Sequence, residues 1–272
     1  MKSRITNTPA QWWGQFELDV GQSGRWEIAS LAIAVTRLEH EWRIQHREKE
    51  LEETSSSGWS VSVPGEALGE DTAVARYVFR NSPGYVVIRP SLADRPIVTR
   101  PVDPIHLQGD EEVTIFVSSP LWVNVCRQGV EKPLLDIPVQ RPSDTWFGPS
   151  TMQGEICYAA RTHARLSRDE VPPQQHRALT AVSVRNEGGR PLLLERLKLP
   201  VCQLALYTTD SVGQSFLWTS NLRIVAEKGM ALAEMHVEEE PPQYVTGADL
   251  VSRPREPLEN HVFQRAVHAL LG

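Results

Sequence analysis

The side chains best suited to chemistry lie closest together in one stretch near the middle of the chain. This stretch holds two carboxylates, Asp144 and Glu155, the residue type that often serves as general acid or base. It also holds Cys157, whose thiolate becomes a strong nucleophile when a nearby cation lowers the thiol pKa. Two arginines, Arg141 and Arg161, flank these groups. The stretch therefore has the residues for hydrolysis, with either a carboxylate or a thiol at its centre.

The order of residues predicts how these groups are oriented if residues 153–164 form a strand, because side chains alternate between the two faces of a strand. One face then carries Glu155, Cys157, Ala159, Arg161 and His163. The other face carries Ile156, Tyr158, Ala160, Thr162 and Ala164, and resembles a core face. In this arrangement His163 can serve as the base for the Cys157 thiol. The alternative is an exposed, salt-bridged face beside a small buried cysteine.

Two aromatic residues, Trp146 and Phe147, precede that strand in a segment that its glycine and prolines predict to be a loop. Aromatic residues in a loop either fill the gap between two domains or form a platform for a ligand. Asp144 beside them can instead form an Asx turn with its own backbone. We predict a binding surface in a groove between two domains, lined by Arg141, Asp144, Trp146, Phe147, Glu155 and Arg161.

The chain has no catalytic signature. It contains no Walker loop, no G-x-G-x-x-G, no H-E-x-x-H and no paired C-x-x-C. Glu234, His236 and Glu238 alternate along one predicted strand and offer ligands for a metal, but a charge-rich strand end accounts for them better. We therefore predict no metal and no cofactor, and we reserve the catalytic candidates Asp144, Glu155, Cys157 and His163 for the hydrolase alternative.

Charge and composition exclude some classes of function. The formal net charge of -6 argues against non-specific binding of nucleic acid, which needs a clustered basic surface. No run of residues approaches the roughly 18 apolar residues of a membrane span, and the first residues lack the apolar core of a secretory signal. The three cysteines are odd in number and far apart, which argues against a disulfide framework. These features predict a cytoplasmic protein without a transmembrane segment.

Short apolar runs separated by glycine and proline predict an all-β fold. Runs of this kind occupy residues 16–20, 113–117 and 179–184, and a similar order of turn, strand, proline and strand occurs in both halves of the chain. We predict two tandem β-sandwich domains of the immunoglobulin-like type, at residues 1–140 and 141–252.

A single amphipathic helix is predicted in the C-terminal segment, residues 253–272. Pro257 suits the first position of a helix, and Leu258, Val262, Ala266 and Leu270 follow at helical spacing. Such a helix packs on its own domain, on a partner protein or on a membrane surface.

The segment Arg-Pro-Ser-Asp-Thr-Trp-Phe-Gly-Pro at residues 141–149 resembles an uncharacterised prokaryotic family, a domain of unknown function. Two upstream motifs share this resemblance, Trp26-Glu27-Ile28 and Glu41-Trp42-Arg43-Ile44, so that it covers most of the chain. The resemblance implies no activity and no functional residue. A partner at a membrane surface or a membrane channel stays open, without support from any residue.

We predict a non-enzymatic binding or assembly module that works through the groove around residues 141–161. Its partner is another protein or a second copy of the chain, which can associate through a strand edge or the terminal helix. The alternative is a hydrolase in the same groove that uses Asp144 and Glu155, or Cys157.

Overall fold

The computed structural model describes residues 11–48, 59–69, 72–148, 150, 152–172, 174–209, 216–226, 233–245 and 247–257. These residues form an all-β fold, as predicted. The only helical segments in this part of the chain are two short 3₁₀ turns, Arg168–Glu170 and Val201–Gln203. Within it, no helix has the length and apolar character that crossing a membrane requires.

The strands, in chain order, are β1 (Gly14–Glu17), β2 (Ser23–Ile28), β3 (Leu31–Arg37), β4 (Glu41–Glu48), β5 (Trp59–Gly65), β6 (Ala73–Val78), β7 (Tyr85–Ser91), β8 (Ile97–Pro101), β9 (Ile105–Leu107), β10 (Glu112–Pro120), β11 (Trp122–Arg127), β12 (Leu135–Pro138), β13 (Asp144–Phe147), β14 (Glu155–Thr162), β15 (Arg177–Asn186), β16 (Leu192–Leu194), β17 (Leu197–Leu199), β18 (Leu206–Thr209), β19 (Phe216–Thr219), β20 (Leu222–Ala226), β21 (Ala233–Val237) and β22 (Ala248–Ser252). Strand β2 illustrates why they form: every second residue is buried, so its alternating sequence covers one side of a core.

The described residues divide into two compact units, and the chain passes between them three times. The first unit comprises the residues up to Ser91 and residues 121–140, and the second comprises residues 92–120 and those from Arg141 onward. Residues 92–120 join the second unit because β8 pairs with β14 and β17, β9 with β16, and β10 with β15. The predicted domains 1–140 and 141–252 stay a prediction. The tandem immunoglobulin-like sandwich stays a prediction.

The first unit contains a five-stranded sheet, β5-β2-β3-β4-β6, and a four-stranded sheet, β1-β7-β11-β12. The ring of Phe16 in β1 meets the ring of Trp26 in β2 edge-on, with centroids 5.1 Å apart. The two sheets therefore contact each other through these aromatic side chains. Trp26 and Trp42 are fully buried, as expected for large residues in alternating strands.

The second unit is organised around β15. Strand β10 pairs antiparallel with one edge of β15 along nine residues, and β19 and β20 pair parallel with its other edge. The complete sheet has seven strands, in the order β21-β20-β15-β19-β18-β22 with β10 beside β15. A four-stranded sheet, β13-β14-β8-β17, and the pair β16-β9 complete the unit.

The structure describes only residues 253–257 of the predicted C-terminal helical segment. Residues 248–252 form strand β22, and residues 253–257 contain no helical turn. The rest of the predicted helix, from residue 258, lies outside the described residues.

Candidate functional site

The central stretch forms a β-hairpin in the four-stranded sheet of the second unit. Strand β13 pairs antiparallel with β14, which pairs parallel with β8 on its other side. The prediction of a loop at Trp146 and Phe147 is wrong, because both residues belong to β13. The chain turns tightly after them: a Cβ on Gly148 would lie 2.0 Å from the Gln153 carbonyl oxygen, and one on Gly154 would lie 2.6 Å from the Phe147 oxygen. Two glycines thus let the hairpin close.

The hairpin has two faces, and the predicted site residues are divided between them. Residues paired across strands share a face, as do alternate residues of one strand. The Trp146 face is defined by Asp144, Trp146, Ile156 and Tyr158. The Glu155 face is defined by Thr145, Phe147, Glu155, Cys157, Ala159 and Arg161. All six predicted binding residues belong to the second unit; the groove between two domains stays a prediction.

An exposed apolar pair marks the Trp146 face. Trp146 is 41% exposed and lies directly opposite Ile156, which is 54% exposed. The indole N–H donates a hydrogen bond of 2.8 Å to the carbonyl of Ser150. The ring lies so close to the hairpin backbone that a Cβ on Gly154 would come within 2.8 Å of it. These contacts fix the orientation of a large aromatic ring that still faces solvent.

Ion pairs border this apolar pair. One carboxylate oxygen of Asp144 lies 3.5 Å from the guanidinium of Arg95, and the other lies 3.4 Å from that of Arg141. Arg95 also lies over the ring of Tyr158, 5.6 Å from its centroid. The Tyr158 hydroxyl donates to Asp94 at 2.9 Å. Burial raises the pKa of Tyr158, and its hydrogen bond to Asp94 adds to the effect.

On the Glu155 face, a small buried cluster lies beneath charged side chains. Phe147, Cys157 and Val98 form the cluster. The guanidinium of Arg196 lies 5.3 Å from the centroid of the Phe147 ring and donates a hydrogen bond of 2.9 Å to the Trp146 carbonyl. The apolar part of this face is therefore covered from within the same sheet.

Glu155 forms an ion pair with Lys198 of β17. The side chain of Lys198 is only 7% exposed, whereas that of Glu155 is 45% exposed. The pairing register places Lys198 opposite Val98 and Val98 opposite Ala159, so that all of these residues share the Glu155 face. Glu155 thus has a structural role, because it neutralises a buried ammonium group.

The environment of Cys157 opposes the formation of a thiolate. The side chain is fully buried. Burial, and after it the negative charge of Glu155, raises the pKa of the Cys157 thiol to about 11, against the opposing effect of Lys198 and Arg196. A reactive thiol needs a lowered pKa and access to solvent. His163, the base in the thiol hypothesis, is exposed one residue beyond the end of β14.

We predict that the native protein has no fast-reacting thiol. Cys126, Cys157 and Cys202 are all buried, and burial raises the pKa of each. At pH 8, a thiol of pKa about 11 holds about a hundredfold less thiolate than free cysteine. In buffer, a disulfide reagent should label the protein at least about a hundredfold more slowly than it labels free cysteine. In denaturant, labelling should go to completion. Fast labelling that mass spectrometry maps to Cys157 would contradict this expectation.

The two candidate carboxylates do not face the same side of the sheet. Asp144 belongs to the Trp146 face, and Glu155 to the opposite face. In glycosidases the two carboxylates flank the scissile bond, whereas these two carboxylates belong to opposite faces of the sheet. In the other predicted carboxylate cluster, Glu234 contacts His236 at 3.4 Å and Glu238 accepts from Asn221. Among the described residues, no three His, Cys, Asp or Glu side chains are placed to hold a metal ion.

Sequence reasoning missed the residues that other strands contribute to this sheet. Arg95 precedes β8 in a proline-rich segment, and Arg196 and Lys198 lie at β17, about 40 residues after Glu155. One signal was available: Lys198 stands between two leucines in a short apolar strand, where a cation requires a partner.

Residues 12–271 match the model of one protein family, which is described as "Protein of unknown function (DUF432)". No curated protein and no solved structure matches the chain.

Proposed function

Since the chain belongs to the DUF432 family, whose function is unknown, we propose from its geometry that it is a non-enzymatic binding or assembly module. Its working surface is the Trp146 face of the β13–β14 hairpin. The proposal includes the finer expectations from the sequence: two tandem immunoglobulin-like β-sandwiches, acting in the cytoplasm as a scaffold for a protein partner or a second copy of the chain.

The observation that carries the proposal is the exposed pair of Trp146 and Ile156. A large apolar side chain fixed in orientation loses little conformational entropy on binding. Tryptophan and arginine are the residue types enriched among those that contribute most to protein interfaces. Here Arg95 and Arg141 border the apolar pair and are oriented by Asp144. An apolar centre with a charged rim is the usual organisation of a protein–protein interface.

The edge of β13 favours recognition through side chains rather than by addition of a strand. Ala159 donates its backbone N–H to the Ser143 carbonyl. Hydrogen-bonded and non-hydrogen-bonded residue pairs alternate along antiparallel strands, so the backbone N–H and C=O groups of Asp144 and Trp146 point away from β14. Arg196 already binds the outward carbonyl of Trp146. An outward carbonyl that is already hydrogen-bonded and covered by a charged side chain is not available for pairing with another strand.

Replacing Trp146 with alanine tests the proposal. We expect complexes of the full-length protein to weaken at least about tenfold, as for an interface residue of high contribution. The measurement is light scattering over a range of concentrations, together with quantitative mass spectrometry of proteins that co-purify from the native host. The free energy of unfolding should fall by only about 1 kcal/mol, because the side chain is already partly exposed.

Leu166→Ala is the matched control, because Leu166 is 62% exposed in the same unit and lies outside the hairpin. The control should behave as the wild type. Equal loss in both variants, or no loss in Trp146→Ala, would refute the proposal. The hydrolase alternative stays a prediction, which the opposite faces of Asp144 and Glu155 and the burial of Cys157 do not favour.

A further inference from the structure

Three arginines form a row across the Glu155 face of the four-stranded sheet. Arg161 of β14 and Arg100 of β8 are direct cross-strand partners. The antiparallel register of β8 and β17 pairs Thr99 with Leu197, so that Arg196, which immediately precedes β17, lies close along the chain to the partner of Arg100's neighbour. We call these three residues the arginine row. It lies on the face of the sheet opposite to Trp146 and Ile156.

The charge of the arginine row is not compensated by any residue that the structure describes. Among the described residues, neither Arg100 nor Arg161 has an ion-pair partner, and both are exposed. Lys198, the fourth cation on this face, is already neutralised by Glu155. The row is therefore a local concentration of positive charge in a chain whose formal net charge is -6.

Like charges that lie opposite each other on neighbouring strands repel and destabilise the sheet. The pKa of Arg196 reflects this environment: burial lowers it, and the positive charge of Arg100 lowers it further. This repulsion raises the free energy of the unliganded protein. A bound anion would remove the repulsion, and its binding would be stronger for that reason.

The spacing of the row fits a phosphate group. Neighbouring strands lie about 4.8 Å apart, so two guanidinium groups on adjacent strands can reach oxygens of the same group. Each guanidinium offers two parallel N–H donors, which match two oxygens of a phosphate. Arg100 and Arg161 supply such a pair, and Arg196 adds a third positive charge at the flank of the pair. Its guanidinium is held in place by Phe147 and the Trp146 carbonyl.

We propose that the arginine row is a binding site for a small soluble ligand with one or two phosphate groups. This site is separate from the protein-binding surface proposed above, because it occupies the other face of the sheet. The ligand binds through charge-assisted hydrogen bonds from Arg100 and Arg161, with Arg196 at the flank.

Calorimetric titration of the full-length protein with inorganic pyrophosphate, at about 50 mM salt to limit screening, tests the proposal. We expect saturable binding by the wild type. Arg100→Gln and Arg161→Gln should each weaken it about tenfold or more, as expected for loss of a charge-assisted hydrogen bond. Both variants should keep or raise the thermal midpoint without ligand, since each removes a repulsive charge.

Arg223→Gln is the matched control, because Arg223 is also an exposed strand arginine of the second unit. It should bind pyrophosphate as the wild type does. The proposal is overturned if the wild type shows no saturable binding, if Arg223→Gln weakens binding as much as Arg100→Gln, or if the protein binds only anionic lipid vesicles and not pyrophosphate.

Discussion

Replacing Asn186 with aspartate is expected to lower the free energy of unfolding by about 4 kcal/mol or more, a loss that few single substitutions cause. Asn186 ends β15 and is only 3% exposed. Its side-chain amide N–H₂ donates to the carbonyls of Leu107, Gln108 and Arg190 at 2.9 to 3.0 Å. Its side-chain oxygen accepts from the N–H of Gly188 at 3.0 Å. One side chain thus holds together the turns before β10 and after β15.

The cost arises because aspartate cannot donate a hydrogen bond when it is ionised. Its carboxylate would face three carbonyl oxygens in a site closed to water, and burial of an unpaired charge is strongly unfavourable. The surrounding backbone has little room to relax. A Cβ on Gly109 would lie 2.6 Å from the Gly188 carbonyl oxygen, which shows how closely the two turns approach each other.

Urea unfolding followed by tryptophan fluorescence measures this effect, since Trp218 is buried in the same unit. Asn186→Ala should cost about 2 to 3 kcal/mol, because it leaves the carbonyls unpaired without adding a charge. Asn81→Asp, at an exposed turn, controls for the change in net charge and should alter stability by less than about 0.5 kcal/mol. An Asn186→Asp variant within about 1 kcal/mol of the wild type would contradict the expected role of Asn186.

The role of Asn186 also shows which part of the fold could be predicted from the sequence. Short apolar runs predicted strands at residues 113–117 and 179–184, and the structure has β10 and β15 there. That the two strands pair with each other, across about 65 residues, could not be predicted. Alternation determines which side chains are buried, whereas pairing depends on contacts between distant segments.

The same limit applies to the candidate site. The alternation of side chains along a strand predicted that Glu155, Cys157 and Arg161 share one face, and they share one face of β14. It did not predict that Phe147 and Val98 would bury Cys157. Tryptophan and phenylalanine favour strands, but the neighbouring glycine and prolines outweighed them in the prediction of a loop. The strand forms because β14 supplies a partner for Trp146 and Phe147.

The two partners of the ion pair between Glu155 and Lys198 should contribute unequally to stability. We expect Glu155→Gln to lower the free energy of unfolding by about 2 kcal/mol and Lys198→Met to lower it by less than about 1 kcal/mol. The asymmetry follows from burial. Without Glu155, the ammonium group of Lys198 is almost fully buried and has no negative partner. Without Lys198, the half-exposed carboxylate of Glu155 is hydrated, and methionine fills the space of the lysine chain.

A double-mutant cycle with both single variants and the double variant measures the coupling between the two residues. Glu187→Gln is the matched control, because Glu187 pairs with Arg185 at 3.1 Å and both side chains are 47% exposed. This surface pair should contribute less than about 0.5 kcal/mol. If Glu155 were instead a catalytic carboxylate, its loss would leave stability unchanged. A Glu155→Gln variant as stable as the wild type would therefore contradict the structural role of Glu155. The expected asymmetry would instead identify its carboxylate as the counter-ion that lets a lysine occupy a buried position in β17.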